Sequence, residues 1–148
     1  MAIETHISDI THVIQLAVAP VFLLTAVGTI ITALTNRLGR AVDRRRVVED
    51  RLPMLADETA EVARDELDAL AMRIRAIYVA TSLAVLCGLF VCLSISLAFL
   101  ATLLAVDLAW SVAVLFVLAM FALIGALVMI LREIFIAVTA PRHTTHQQ

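Results

Sequence analysis

No lysine occurs in this 148-residue chain, so every basic residue is an arginine. The first 36 residues hold none, and neither does the link around Asp107. Nine of the eleven arginines lie between Arg37 and Arg75, and the other two are Arg132 and Arg142. The N-terminus carries Glu4 and Asp9 but no basic n-region, so a cleavable signal peptide is not expected. Lipidation motifs are missing as well. There are two cysteines, Cys87 and Cys92, five residues apart in an apolar run. At that spacing they point to different sides of a helix, which excludes a disulfide or a zinc pair as the expectation. The chain has no phosphate-cradling glycine loop, no GxSxG and no paired carboxylates inside an apolar segment. No catalytic, cofactor-binding or metal residue is therefore assigned, and the expectation is a protein that is not an enzyme.

What is present is apolar surface. The chain is 62% hydrophobic and 16% charged, with a mean hydropathy of +1.01. Soluble domains are about 45–50% apolar, so the excess calls for a lipid-facing surface. By length the chain is a single domain. Three apolar segments stand out: Val13 to Thr35, Ala76 to Val106 and Leu108 to Leu131. A bilayer core needs about 20 apolar helical residues, and each segment supplies them. The middle segment exceeds that need, so its first turns, through about Tyr78, are expected at the interface. Orientation follows the arginine bias of short loops. It puts the 36–75 and 132–148 segments in the cytoplasm and the N-terminus outside. Trp110 then falls at the outer interface and Tyr78 near the inner one, levels that amphipathic rings favour. Asp107 sits in the tight link as a helix N-cap or a solvated turn charge.

The flanking segments are patterned too. Ile3, Ile7, Ile10 and Ile14 share one helix face, which predicts an interfacial element over residues 1–12. His6, Asp9 and His12 resemble a metal-ligand spacing, but His6 and His12 lie too far apart around a helix to share an ion. Between residues 36 and 75 the one strong breaker is Pro53. Arg37, Arg40, Arg44 and Arg51 share a face before it, and Glu58, Glu61, Asp65 and Asp68 share a face after it. The spacing predicts an antiparallel helical hairpin with Arg51 near Glu58, Arg44 near Glu61 or Asp65, and Arg40 near Asp68. Leu67, Leu70, Ile74 and Ile77 form an apolar seam leading into the second span. Arg44-Arg45-Arg46 alternates with acids, so nucleic acid is not an expected partner, and anionic headgroups are. The third helix is expected to continue past Glu133, with Ile134, Phe135 and Val138 on the hairpin base. Pro141 would end it, before a tail with His143 and His146.

Three features could carry function. Thr25, Gly28, Thr32 and Thr35, with Thr29 and Asn36 beside them, make a small polar stripe along the first span. Such a stripe serves either helix packing or the lining of a water-filled path. No Asp, Glu, Lys or His lies in that span, which argues against a proton relay or a charged ion site. Pro20 should kink the same helix. Arg37, Arg73, Arg75, Arg132 and Glu133 converge at the inner boundary. Glu133 is expected to pair there with Arg37 or Arg75, unless the arginines snorkel to lipid phosphates.

The stretch Ile14 to Thr25, with Pro20 inside it, and the exit Leu34-Thr35-Asn36-Arg37-Leu38-Gly39-Arg40-Ala41-Val42-Asp43-Arg44 resemble a bacterial membrane-protein family. That family is known as domain of unknown function 2721. The resemblance is clearest over residues 14–46, and the layout of spans extends it over most of the chain. It implies a small inner-membrane protein and brings no activity with it. The expectation is thus an all-α fold of three membrane spans, the first two extended into a cytosolic antiparallel hairpin. Its partners would be the bilayer, further copies of itself and an unidentified cytosolic protein contacted by the hairpin. The alternative is a small ion channel with the threonine stripe lining its pore.

Overall fold

The structure, a computed structural model, describes the backbone of residues 2–139 and the side chains of residues 18–135. The expectations for the side chains of Ile3 to Ile14, for His6, Asp9 and His12, and for Val138 to His146 lie outside the described residues. Three helices make up the fold: α1 (Ala2–Arg51), α2 (Asp57–Leu104) and α3 (Ala109–Thr139). A single 3-10 turn, Leu52–Met54, joins the first two. All three helices are long and apolar enough to cross a membrane. No strand occurs among the described residues.

At 50 and 48 residues, α1 and α2 are each roughly 70–75 Å long, more than twice a ~30 Å bilayer core. Their apolar parts are long enough to cross it, and their charged parts continue as one helical hairpin. Residue numbers fall along α2 as they rise along α1. A Cβ on Gly88 would sit 3.7 Å from Val27, Leu34 packs with Ile77, and Arg44 pairs with Glu66. The two helices are therefore antiparallel, and α2 lies between α1 and α3.

The packing follows heptads. Among the described residues of α1 the buried positions are Val27, Leu34, Ala41 and Val48, each seven residues apart. On α2 Ala63, Ile77, Ala84 and Val91 keep the same phase, with half-buried Leu70 between the first two. On α3 the series is Ala119, Ala126 and Glu133, with Ala122 beside it. A strict seven-residue repeat keeps each seam facing its partner along the whole helix. Alanine dominates because lipid supplies no hydrophobic force between helices, so small side chains that let backbones approach are what hold them. Gly125 belongs to the same contact, since a Cβ there would lie 3.2 Å from Leu83 Cδ1.

Pro53 explains the hairpin turn. It has no amide to continue the α1 ladder. Asp57 and Glu58 then open α2, where carboxylates favour the positive end of the helix dipole. At the other end of α2, Ala105 adopts the left-handed conformation (φ 51°), and the Val106 amide donates to the Ala101 carbonyl at 3.1 Å. Glycine takes that conformation without the Cβ penalty. Ala105→Gly should therefore raise stability by about 0.5–1 kcal/mol, read as a higher unfolding midpoint in detergent. At the start of α3 Leu108 accepts the first helical bond, from Val112, and the Asp107 carboxylate accepts from the Ala109 amide at 3.0 Å, as a capping side chain does.

One expectation is corrected. The backbone is helical without interruption from Ala2 through Arg51, so no separate element ends at His12. Nothing in the sequence would end it there, because residues 2–19 contain neither glycine nor proline. Pro20, half-buried, lies within this helix.

Candidate functional site

Where the apolar segments end, the seam of α3 places a carboxylate instead of an alanine. Glu133 is 2% exposed. Its Oε2 accepts from an Arg37 guanidinium nitrogen at 2.6 Å, and its Oε1 accepts from Arg73 Nε at 2.7 Å. One residue from each helix thus meets at one point. The two arginines are 33% and 39% exposed, so they are anchored but reach water or headgroups.

The register accounts for the arrangement. Arg37 and Arg44 occupy the same flank of the α1 seam, one heptad apart, as do Arg73 and Glu66 on α2. Arg44 Nη2 meets Glu66 at 2.7 Å across that flank. One heptad nearer the spans, the same register sets Arg37 opposite Arg73, cation against cation. Glu133 enters from α3 between them. A buried carboxylate without partners would be expensive, and two juxtaposed guanidiniums would repel. Together they make two short charge-assisted hydrogen bonds. No buried side-chain nitrogen or oxygen among the described residues lacks a hydrogen-bond partner.

Of the expected cluster, the structure brings Arg37 to Glu133 but not Arg75, which is exposed, as is Arg132. Arg73 takes the place foreseen for Arg75. It lies three residues after Leu70 and four before Ile77, beside the seam, whereas Arg75 points some 160° away from Ile77 by helix geometry. The acidic stripe is corrected for the same reason. Glu58, Glu61, Asp65 and Asp68 are exposed on the far side of α2 from its buried alanines. Among the described residues neither they nor Arg40 and Arg51 form an ion pair. Arg44 reaches Glu66, one position round from Asp65, and Arg45 pairs with Glu49 within α1 at 2.7 Å. Ile134 and Phe135 are 40% and 64% exposed, because Glu133 takes the inward position.

The small polar stripe has a definite place. Thr25, Gly28, Thr29, Thr32, Thr35 and Asn36 are all exposed. Thr32 lies about 160° around α1 from the buried Leu34. The stripe therefore packs no helix of its own chain. A Cβ at Gly28 or Gly39 would meet nothing within 4 Å. Each hydroxyl donates back to the carbonyl four residues earlier: Thr25 to Val21 (3.3 Å), Thr29 to Thr25 (3.1 Å), Thr32 to Gly28 (3.0 Å) and Thr35 to Ile31 (2.8 Å). Bonded in this way, the threonines present methyl groups and acceptor oxygens outward. Among the described residues no group of three or more His, Cys, Asp or Glu side chains is placed to hold a metal ion.

Three long apolar helices tied together by one buried carboxylate and two arginines define a membrane protein. The chain belongs to the family described as "Protein of unknown function (DUF2721)", whose model matches residues 17–143. That match spans α1 from its first described side chain to beyond the end of α3. Curated proteins and solved structures give no match to the chain.

Proposed function

We propose that this protein is a non-enzymatic, homo-oligomeric protein of a bacterial inner membrane, with its charged hairpin in the cytoplasm as an assembly or interaction surface. The observation that carries the reading is the outer face of α1. Thr25, Gly28, Thr32, Thr35 and Gly39 recur at alternating three- and four-residue steps and are exposed. Side chains this small let a neighbouring helix approach closely in lipid. The same face continues into the hairpin as Arg40, Asp43, Arg46 and Asp50, all exposed and without an ion pair among the described residues. Cations and acids alternate along this line, so a partner surface that carries both signs can pair with it. The arginine bias supports the orientation, with the hairpin and the C-terminus inside and the N-terminus outside.

The test is a subunit count of the full chain in nanodiscs by native mass spectrometry. A defined oligomer is expected, and Gly28→Leu should lower its share at least tenfold by placing a branched side chain in the contact. A monomeric wild-type protein would refute the reading. The outward row of hydroxyl oxygens favours one second reading, a channel in which a ring of α1 helices lines a pore. A closed ring of four or more subunits, together with ion flux in liposomes that Thr32→Leu abolishes, would select it.

A further inference from the structure

We propose that the arginines around Glu133 hold the phosphate of an anionic phospholipid in the leaflet on the hairpin side. The inference rests only on the membrane embedding of the three helices and not on self-assembly. Four arginines, Arg37, Arg73, Arg75 and Arg132, stand at the level of one carboxylate, Glu133. By helix rise the nearest other acids on α1 and α2, Asp43 and Asp68, lie roughly 7–9 Å further along the axes. Glu133 neutralises one charge, so the Arg37–Arg73 pair keeps a net positive charge. Each of these guanidiniums has five N–H donors and gives one nitrogen to Glu133, Arg37 through an Nη and Arg73 through Nε. The remaining donors form no other bond among the described residues. Both side chains are about one-third exposed, and Glu133 holds their positions.

Depth decides what meets them. Above this level the described parts of α1, α2 and α3 carry no charged residue until Asp107 in the α2–α3 link. The first cations below a hydrocarbon-spanning segment lie at the phosphate layer. A planar guanidinium fork with free donors matches phosphate oxygens in geometry as well as charge. Basic pockets between membrane helices recognise anionic headgroups in this way. The anchoring also separates Arg37 and Arg73 from ordinary snorkelling side chains, because their ordering cost is already met by Glu133.

The test uses the full chain purified in neutral detergent and titrated with phosphatidylglycerol or phosphatidylcholine, with retained lipid counted by native mass spectrometry. The expected result is one phosphatidylglycerol retained per chain, at least fivefold over phosphatidylcholine. Arg73→Gln and Arg37→Gln should each reduce that preference at least threefold. Each variant still has one arginine on Glu133, and circular dichroism checks its fold. Equal retention of the two lipids by the wild type overturns the proposal. So does a preference unchanged in the arginine variants, which would place it on the hairpin arginines. Displacement of the lipid by millimolar inorganic phosphate overturns it too, since the site would then be one for a soluble anion.

Discussion

Glu133→Ala is expected to destabilise the helix bundle by about 2–3 kcal/mol. Breaking a fully buried ion pair costs about 3–5 kcal/mol. Here the two arginines left behind are one-third exposed and can hydrate in part, which lowers the figure. What cannot be recovered is the separation of two like charges that the register of α1 and α2 holds together. Arg37→Gln or Arg73→Gln should cost less, about 1 kcal/mol, because the other arginine keeps the carboxylate paired. A charge swap gives the sharper result. Glu133→Arg alone places three guanidiniums at one point and should destabilise more than alanine. Adding Arg37→Glu restores one carboxylate between two arginines and should recover most of the loss. Adding Arg75→Glu should recover none of it, since Arg75 faces away. Unfolding of the variants by dodecyl sulfate, followed by helical circular dichroism, measures all of these. Equal rescue by both partners would show that general charge balance, and not this contact, is what matters.

Ala84→Leu should have a comparable effect. Ala84 is fully buried, in the cluster that holds Val27 of α1 together with Ala119, Ala122 and Ala126 of α3. Three added carbons cannot be placed there without moving helices apart. Overpacking of this kind costs about 1–3 kcal/mol, and the upper end applies because backbone approach is what the alanine seam provides. Val85→Leu is the internal control: Val85 is 52% exposed and faces lipid, so the same measurement should change by less than about 0.5 kcal/mol.

The elements that were legible in the sequence are those set by local chemistry. The ends of the apolar segments, the turn at Pro53 and the seam Leu67–Leu70–Ile74–Ile77 each reflect a property of a few neighbouring residues. The depth shared by Arg37, Arg73 and Glu133 was also readable, because charge ends an apolar segment wherever it occurs. The choice of Arg73 over Arg75 depends on angle around α2, not depth. The seam residues contain that information, since position 73 flanks Leu70 and Ile77 while position 75 opposes them. The acidic stripe misleads for a related reason. Four acids sharing a face say nothing about which way the face points, and the alanines at 60 and 63, with no apolar bulk to mark them, are what turn inward. The outward placement of Thr25 to Thr35 was not legible either. Small residues suit close packing inside the chain or between chains, and only the competing seam of Val27, Leu34, Ala41 and Val48 decides between them. An uninterrupted α1 follows from what residues 2–19 lack, yet the isoleucine stripe there draws attention to a surface helix instead.

Association of copies along the outer face of α1 is tested most directly by disulfide cross-linking in membranes. Single cysteines would be placed along residues 25–39 after Cys87 and Cys92 are replaced by alanine. Cross-linked dimers are expected at Thr25, Gly28, Thr32, Thr35 and Gly39, and not at Val27 or Leu34. Absence of cross-links at every position of the outer face, or a maximum on any other side of α1, would contradict the account.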